Sequence, residues 1–312
     1  MNTNSSSTII EVNNLVKHYG SIKAVDGISF TVNQGEVFGM LGPNGAGKST
    51  TVEIIEGLRT RDSGSVSVLG LDVDRVPVAI KQRIGVQLQA PSIMPLLTIE
   101  ETLKLFAGFY QRSFPVDYVI DLLALQDSRR VLVKNLSGGQ QQRLSVAMAL
   151  INDPDVAFLD EPTTGLDPQA RRGLWTVIES MRDKGKTIFL TTHYMEEAER
   201  LCGRVAIVDM GKIIAMESPQ ELVRDYFKES AIEFGMNPPP PLAVLQGFAS
   251  TTNVIVDGDE AILYSSNIPA TMSALLQYAG EQGLTEKLKE LHVRSATLED
   301  VFLKLTGKKI RE

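Results

Sequence analysis

Glu36-Val37-Phe38-Gly39-Met40-Leu41 runs directly into Gly42-Pro43-Asn44-Gly45-Ala46-Gly47-Lys48-Ser49. The first six residues read as an apolar strand, the next eight as a turn built on glycine, and a helix is expected from about Lys48 to Leu58. The loop fits G-x-x-x-x-G-K-[ST], whose glycines let the backbone wrap closely around phosphate oxygens. The amides of about Gly45 to Thr50 then point inward as an anion nest at a helix N-terminus. In that geometry Lys48 reaches β- and γ-phosphates and Ser49 offers a hydroxyl to Mg2+. Strand, loop and helix in this order predict an α/β fold that binds a nucleotide at one edge of its sheet.

Upstream, Ile9–Val16 and Ile28–Val32 are short β-prone runs; downstream, Ser65–Leu69 and Ile84–Leu88 continue the strands. From Thr98 the pattern turns helical. Thr98-Ile99-Glu100-Glu101 is a capping box, and Leu103, Phe106, Ala107 and Tyr110 give the helix one apolar face. Further helices are expected near Tyr118–Ala124 and Gly138–Ile151, so about 98–152 reads as a helical subdomain inserted in the α/β fold. Val156–Leu159, Thr187–Leu190 and Val205–Val208 are continuous apolar strands, and helices begin at Asp167-Pro168 and near Met195. Strands alternating with helices predict a mostly parallel core sheet, with an antiparallel β part at the N-terminus.

Past residue 230 the composition changes, with a proline run from Pro238 to Pro241. Ala231–Phe234, Asn253–Val256, Ala261–Ser265 and Lys287–Val293 read as strands, Ala270–Glu281 and Leu298–Leu305 as helices. The pattern predicts a small α+β, ferredoxin-like domain. The expected domains are 8–229 and 230–312.

The chain has 312 residues, 43% of them hydrophobic, and a net charge of -7. That content suffices for a buried core, and the acidic balance argues against nucleic acid as a partner. A single cysteine, Cys202, excludes an internal disulfide and suits a reducing compartment. Met1–Thr8 is polar, with no signal-peptide core, and no run approaches the ~18 apolar residues of a membrane span. If the protein acts on a membrane, another chain must form the pore.

Two more segments carry chemistry. Val156–Leu159 delivers Asp160 and Glu161 to the sheet edge, where Asp160 would hold Mg2+ and Glu161 would polarise an attacking water. Leu136-Ser137-Gly138-Gly139-Gln140 opens a helix with two glycines whose free amides can grip an anion.

The order of these motifs, followed by Pro162-Thr163-Thr164-Gly165-Leu166-Asp167 and then Thr192-His193, resembles the ATP-binding cassette (ABC) ATPases over about residues 8–228. The resemblance implies an ATPase that uses ATP and Mg2+. Ser137-Gly138-Gly139-Gln140 would be the signature that meets ATP on the P-loop of a second subunit, and Asp167 would bridge the two sites of a homodimer. Gln89 would sense the γ-phosphate and Mg2+, His193 would bond the γ-phosphate and brace Glu161, and Tyr19 would lie against the adenine. His18 and His292 match no such position. Ser295–Gly307 resembles the ending of ABC-2 type export ATPases, the drug- and antibiotic-resistance group. That implies an integral-membrane permease as partner, amphipathic substrates, and a cytoplasmic place on the inner face of the membrane. The competing class, a soluble repair or ribosome-associated ABC ATPase, usually brings two cassettes, long coiled-coil insertions or basic linkers. The sequence has none of these.

Overall fold

Two patterns of apolar residues sort the strands: runs buried along their whole length suit the middle of a parallel sheet, and alternating runs suit a sheet with one open face. The computed structural model describes residues 7–75, 77–87 and 94–307. In chain order the first part carries β1 (Thr8–Tyr19), β2 (Ile22–Asn33), β3 (Val37–Leu41), α1 (Lys48–Ile55), β4 (Ser63–Val68), β5 (Leu71–Asp72), α2 (Pro77–Lys81) and β6 (Ile84–Gln87). It continues with α3 (Ile99–Ala107), α4 (Val116–Leu122), α5 (Gly138–Leu150), β7 (Val156–Asp160), α6 (Pro168–Asp183), β8 (Thr187–Thr191), α7 (Met195–Leu201), β9 (Arg204–Asp209) and β10 (Lys212–Glu217).

The antiparallel strands at the N-terminus form one sheet in the order β2-β1-β4-β5. The second sheet runs β10-β9-β3-β8-β7-β6, parallel throughout except for β10 at its edge. Every residue of β3 and β8 is buried, as the unbroken apolar runs require. Phe38, Phe189 and Phe158 sit in register on β3, β8 and β7, with ring centroids 5.4 and 5.7 Å apart. Phe30 of β2 stacks on Phe38 at 5.3 Å, so one aromatic row joins the two sheets. The capping box at Thr98 and Glu101 opens α3 as expected, and an equivalent pair, Ser137 and Gln140, opens α5.

The chain divides into compact units between Pro219 and Gln220, earlier than the composition shift near residue 230. The second unit carries α8 (Pro219–Tyr226) from its second residue on, then β11 (Ser230–Gly235), α9 (Leu242–Gln246), β12 (Thr251–Asp257), β13 (Glu260–Ser265), α10 (Ile268–Glu281), β14 (Lys289–Ser295) and α11 (Leu298–Thr306). The segment before residue 230 belongs with it for a packing reason. The Phe227 ring lies 4.8 Å from that of Tyr264, and Lys304 Nζ donates to the Tyr226 carbonyl at 2.8 Å. Its sheet is antiparallel, in the order β12-β13-β11-β14, with Ile232, Phe234, Leu263 and Leu275 in its core.

Asp300, in the tail motif, is buried and accepts bonds from Arg294 (2.5 and 3.0 Å), Tyr264 Oη (2.5 Å) and the Thr297 amide (2.7 Å). Burial alone would raise its pKa, yet these donors hold it below the ordinary carboxylate range. Asp300→Asn removes the charge that Arg294 and the helix start are arranged around. The expected cost is about 3 kcal/mol of unfolding free energy, the scale for breaking a buried ion pair. Chemical denaturation of the full chain reads it, and a loss below about 1 kcal/mol would contradict the central role given to Asp300.

Candidate functional site

Parallel strands bring their C-terminal ends to one edge. Met40 on β3 and Asp160 on β7 both stand in register with Thr191 on β8. The loop after β3, Asp160 and Thr191 therefore share the carboxyl edge, where open α/β sheets bind ligands.

Two glycines fix the loop against the sheets. A Cβ on Gly47 (φ +103°) would stand 2.1 Å from the Ala24 carbonyl oxygen, and one on Gly42 would stand 2.3 Å from that of Val208. No side chain fits at either position. Gly45 (φ +81°) has open space beside it, so the loop is backed on one side and open on the other. Lys48 starts α1 and is nearly buried, and its Nζ curls over the loop to donate to the carbonyls of Gly42 (2.7 Å) and Pro43 (3.2 Å). Burial lowers its pKa, and the charges of Glu161 and Asp160 oppose that. Asn44, Gly45 and Ser49 are exposed at the mouth, while Ala46 is buried beneath and Thr50 partly so.

Burial pushes the Asp160 carboxyl up, aided by the Glu161 charge and opposed by a short bond from Thr191 Oγ1 to its Oδ1. Glu161 takes a left-handed backbone (φ +49°), a conformation that costs a non-glycine residue about 1–2 kcal/mol. Its amide donates to both the carbonyl and Oγ1 of Thr191, each at 3.1 Å. Its carboxylate lies 3.3 Å from His193 Nδ1 and accepts from Thr164 Oγ1 at 3.2 Å. The His193 bond holds its pKa below the ordinary value despite burial. Behind this edge Glu56 is buried, and burial followed by the Asp160 charge pushes its pKa up to about 8.

The structure thus brings Lys48, Asp160, Glu161 and His193 together. The loop residues Gly42 to Thr50 lie around Lys48, while the signature residues and Asp167 are held by other partners. Ser137 caps α5, Gly138 and Gly139 form its first turn, and a Cβ on Gly139 would meet Leu166 at 3.4 Å. Gln140 Nε2 donates to Ser128 Oγ at 2.6 Å. Asp167 spends its carboxylate capping α6 through the amides of Gln169 and Ala170. Among the described residues no hydrogen bond or ion pair joins these groups to the Lys48 cluster. Tyr19 is exposed at the β1–β2 turn, its ring flanked by Lys17 Nζ (5.6 Å) and the Arg59 guanidinium (5.5 Å). Gln89 lies outside the described residues, as does Leu88, the expected last residue of its strand.

Three residues at the site were not singled out from the sequence. Thr191 bonds both Asp160 and Glu161; a buried hydroxyl directly after the apolar run Ile188–Leu190 is the signal that could have found it. Gln87, buried at the end of β6, donates to the Asp160 carbonyl at 3.1 Å. Gln142 on α5 donates to the carbonyls of Glu161 (3.3 Å) and Pro162 (3.0 Å). No local pattern announces that last contact.

Comparison with known proteins agrees with this geometry. The ABC transporter family matches residues 25–164. The Nod factor export ATP-binding protein I of Burkholderia lata is 40% identical over 309 residues, covering 97% of this chain and 98% of that protein. The protein of the same name from Sinorhizobium fredii is 40% identical over 318 residues, covering 100% of this chain and 90% of its own length. Among solved structures, a dimeric ATP-binding cassette in a post-hydrolysis state with ADP and phosphate bound superposes with a TM-score of 0.63 at 26% identity, over 67% of this chain and 98% of that one. An ATP-binding subunit of an ABC transporter superposes with a TM-score of 0.65 at 29% identity, over 70% and 93%. The chain belongs to the ABC transporter ATP-binding family. It is an ATP-binding and ATP-hydrolysing subunit, and none of its described helices is long and apolar enough to cross a membrane.

Proposed function

We propose that this subunit works as one of a head-to-tail pair on the inner face of the membrane, driving a permease that exports an amphipathic substrate. The observation that carries the reading is the convergence of Lys48, Asp160, Glu161 and His193 on one sheet edge beside an open glycine loop. Relatives named for Nod factor export support the direction of transport.

In this reading Lys48 turns from its own loop carbonyls to the β- and γ-phosphates, and the amides of Gly45 to Thr50 take the remaining oxygens. Glu161 orients and deprotonates the attacking water, and His193 fixes the carboxylate and bonds the γ-phosphate. Ser49 and Asp160, with Gln89, would hold Mg2+, which neutralises phosphate charge when bound. An exposed hydroxyl and a carboxylate at one edge fit that ion, which takes few protein ligands and keeps water and phosphate oxygens. Tyr19 stacks on the adenine. Ser137, Gly138, Gly139, Gln140 and Asp167, which sit apart from the cluster, serve the nucleotide of the second subunit. The strand order of the second unit supports a ferredoxin-like fold with a regulatory or assembly role.

Co-expression with a candidate permease tests the whole. A stable complex whose ATP turnover moves an amphipathic substrate across vesicles is expected. A chain that purifies without any membrane partner and turns over ATP unaffected by one would overturn the transporter reading.

A pH profile tests the pairing of Glu161 and His193. Glu161 must be ionised to act as a base, so turnover falls in acid as it takes up a proton. The His193 bond depresses its pKa, which sets that limb below the ordinary carboxylate range. His193→Ala removes the largest depressing interaction, so the acid limb of the residual turnover should move to higher pH. A limb that stays in place would separate the two residues.

A further inference from the structure

Three successive glutamines follow the two glycines that open α5, and each is spent differently. Gln140 bonds Ser128 Oγ, and Gln141 Nε2 reaches back to the Leu136 carbonyl at 3.2 Å, so both tie the helix start to its own subdomain. Gln142 instead leaves the helix and donates to two consecutive carbonyls, those of Glu161 and Pro162. Those carbonyls belong to the two successive peptides that follow the left-handed Cα of Glu161.

A left-handed glutamate persists only where its surroundings over-determine it. Here the amide side of Glu161 is held by Thr191 on β8. The carbonyl accepts from the Thr164 amide of its own turn at 3.2 Å, and from outside that turn it is held by Gln142 on α5. The direction of the Glu161 side chain, and so its 3.3 Å approach to His193, follows from both holds.

We propose that Gln142 is a positioning residue for ATP hydrolysis: its amide fixes the backbone of Glu161, and so couples the reacting carboxylate to the helix that begins at Ser137. The inference rests on the reading of Glu161 as the base. Where α5 meets a second nucleotide through Ser137, the same helix carries the state of one site to the base of the other.

The test uses the full chain and a double-mutant cycle with Gln142→Met and Glu161→Gln, reading kcat, KM and equilibrium ATP binding. Methionine keeps the volume and helix propensity of glutamine and removes both donors. Gln142→Met is expected to lower kcat about tenfold while ATP binding stays within about twofold of the parent. The same change in the Glu161→Gln background should cost nothing further, because the group being positioned is already gone. Gln142→Glu, isosteric but without the donors, should reproduce the kcat loss and serves if the methionine variant does not fold. A parental kcat in Gln142→Met, or an equal cost in both backgrounds, overturns the inference while leaving Glu161 as the base. Parental turnover in Glu161→Gln alone overturns the underlying reading, and the inference with it.

Discussion

A Lys48→Ala chain is expected to lose roughly 10²-fold in ATP affinity and to release phosphate at background level. Lys48 brings a positive charge to a nearly buried position at the loop, where water competes little for it. Two charge-assisted bonds to phosphate oxygens at about 1.5 kcal/mol each amount to about 3 kcal/mol, or two orders of magnitude in the dissociation constant. The loss in turnover is larger, because the same charge stabilises the transferring phosphoryl group as charge spreads over it. Alanine leaves the Gly42 and Pro43 carbonyls without their ammonium partner, but it also removes the cost of burying a cation. The fold should therefore survive, with thermal unfolding close to that of the parent. Equilibrium nucleotide binding and phosphate release are the measurements, and near-parental values for both would remove Lys48 from the site.

Glu161→Gln separates binding from chemistry. The amide keeps the size of the carboxylate and can still meet Thr164 and His193, so the left-handed turn and the sheet edge are undisturbed. What disappears is the capacity to take a proton from water, worth roughly 10²–10⁴ in rate. ATP should still bind at close to parental affinity, since removing a negative charge near the phosphates does not weaken their hold. Phosphate release at the parental rate would show that another group, or none, acts as the base.

Much of this site was legible because its parts are local. A glycine loop between a strand and a helix, a carboxylate pair closing an apolar strand, and an Asp-Pro helix start are each written within a few residues, and all three stand in the fold. Ends of elements were less legible. The expected helix to Leu58 stops at Ile55, with Gly57 left-handed (φ +71°) two residues later. β10 was not anticipated, because an edge strand that alternates between partly buried and exposed residues offers only a weak apolar signal. α9 was hidden by the proline run, although Pro241, fixed at φ -53°, leads straight into it. Gln142 and Thr191 were out of reach for a different reason. Their partners lie 19 to 31 residues away, and only the packing of α5 and β8 against β7 creates the contacts.

The strand that feeds the phosphate loop sets a condition on how the protein is made. Val37–Leu41 is buried at every residue, yet its sheet partners are Ile188–Thr191 on one side and Arg204–Ile207 on the other. About 150 to 170 residues must leave the ribosome before either partner exists. At 5–20 residues per second that is a wait of roughly 10–30 s. Throughout it the nascent chain carries an unpaired, wholly apolar strand with both edges open, the kind of segment that recruits a neighbour's strand. The antiparallel sheet of the N-terminal strands is complete by residue 72 and gives Phe38 the Phe30 ring to lie against, which covers one face but neither edge. Yield of soluble protein should therefore depend on holdase chaperones and on slow synthesis far more than the stability of the finished fold would suggest.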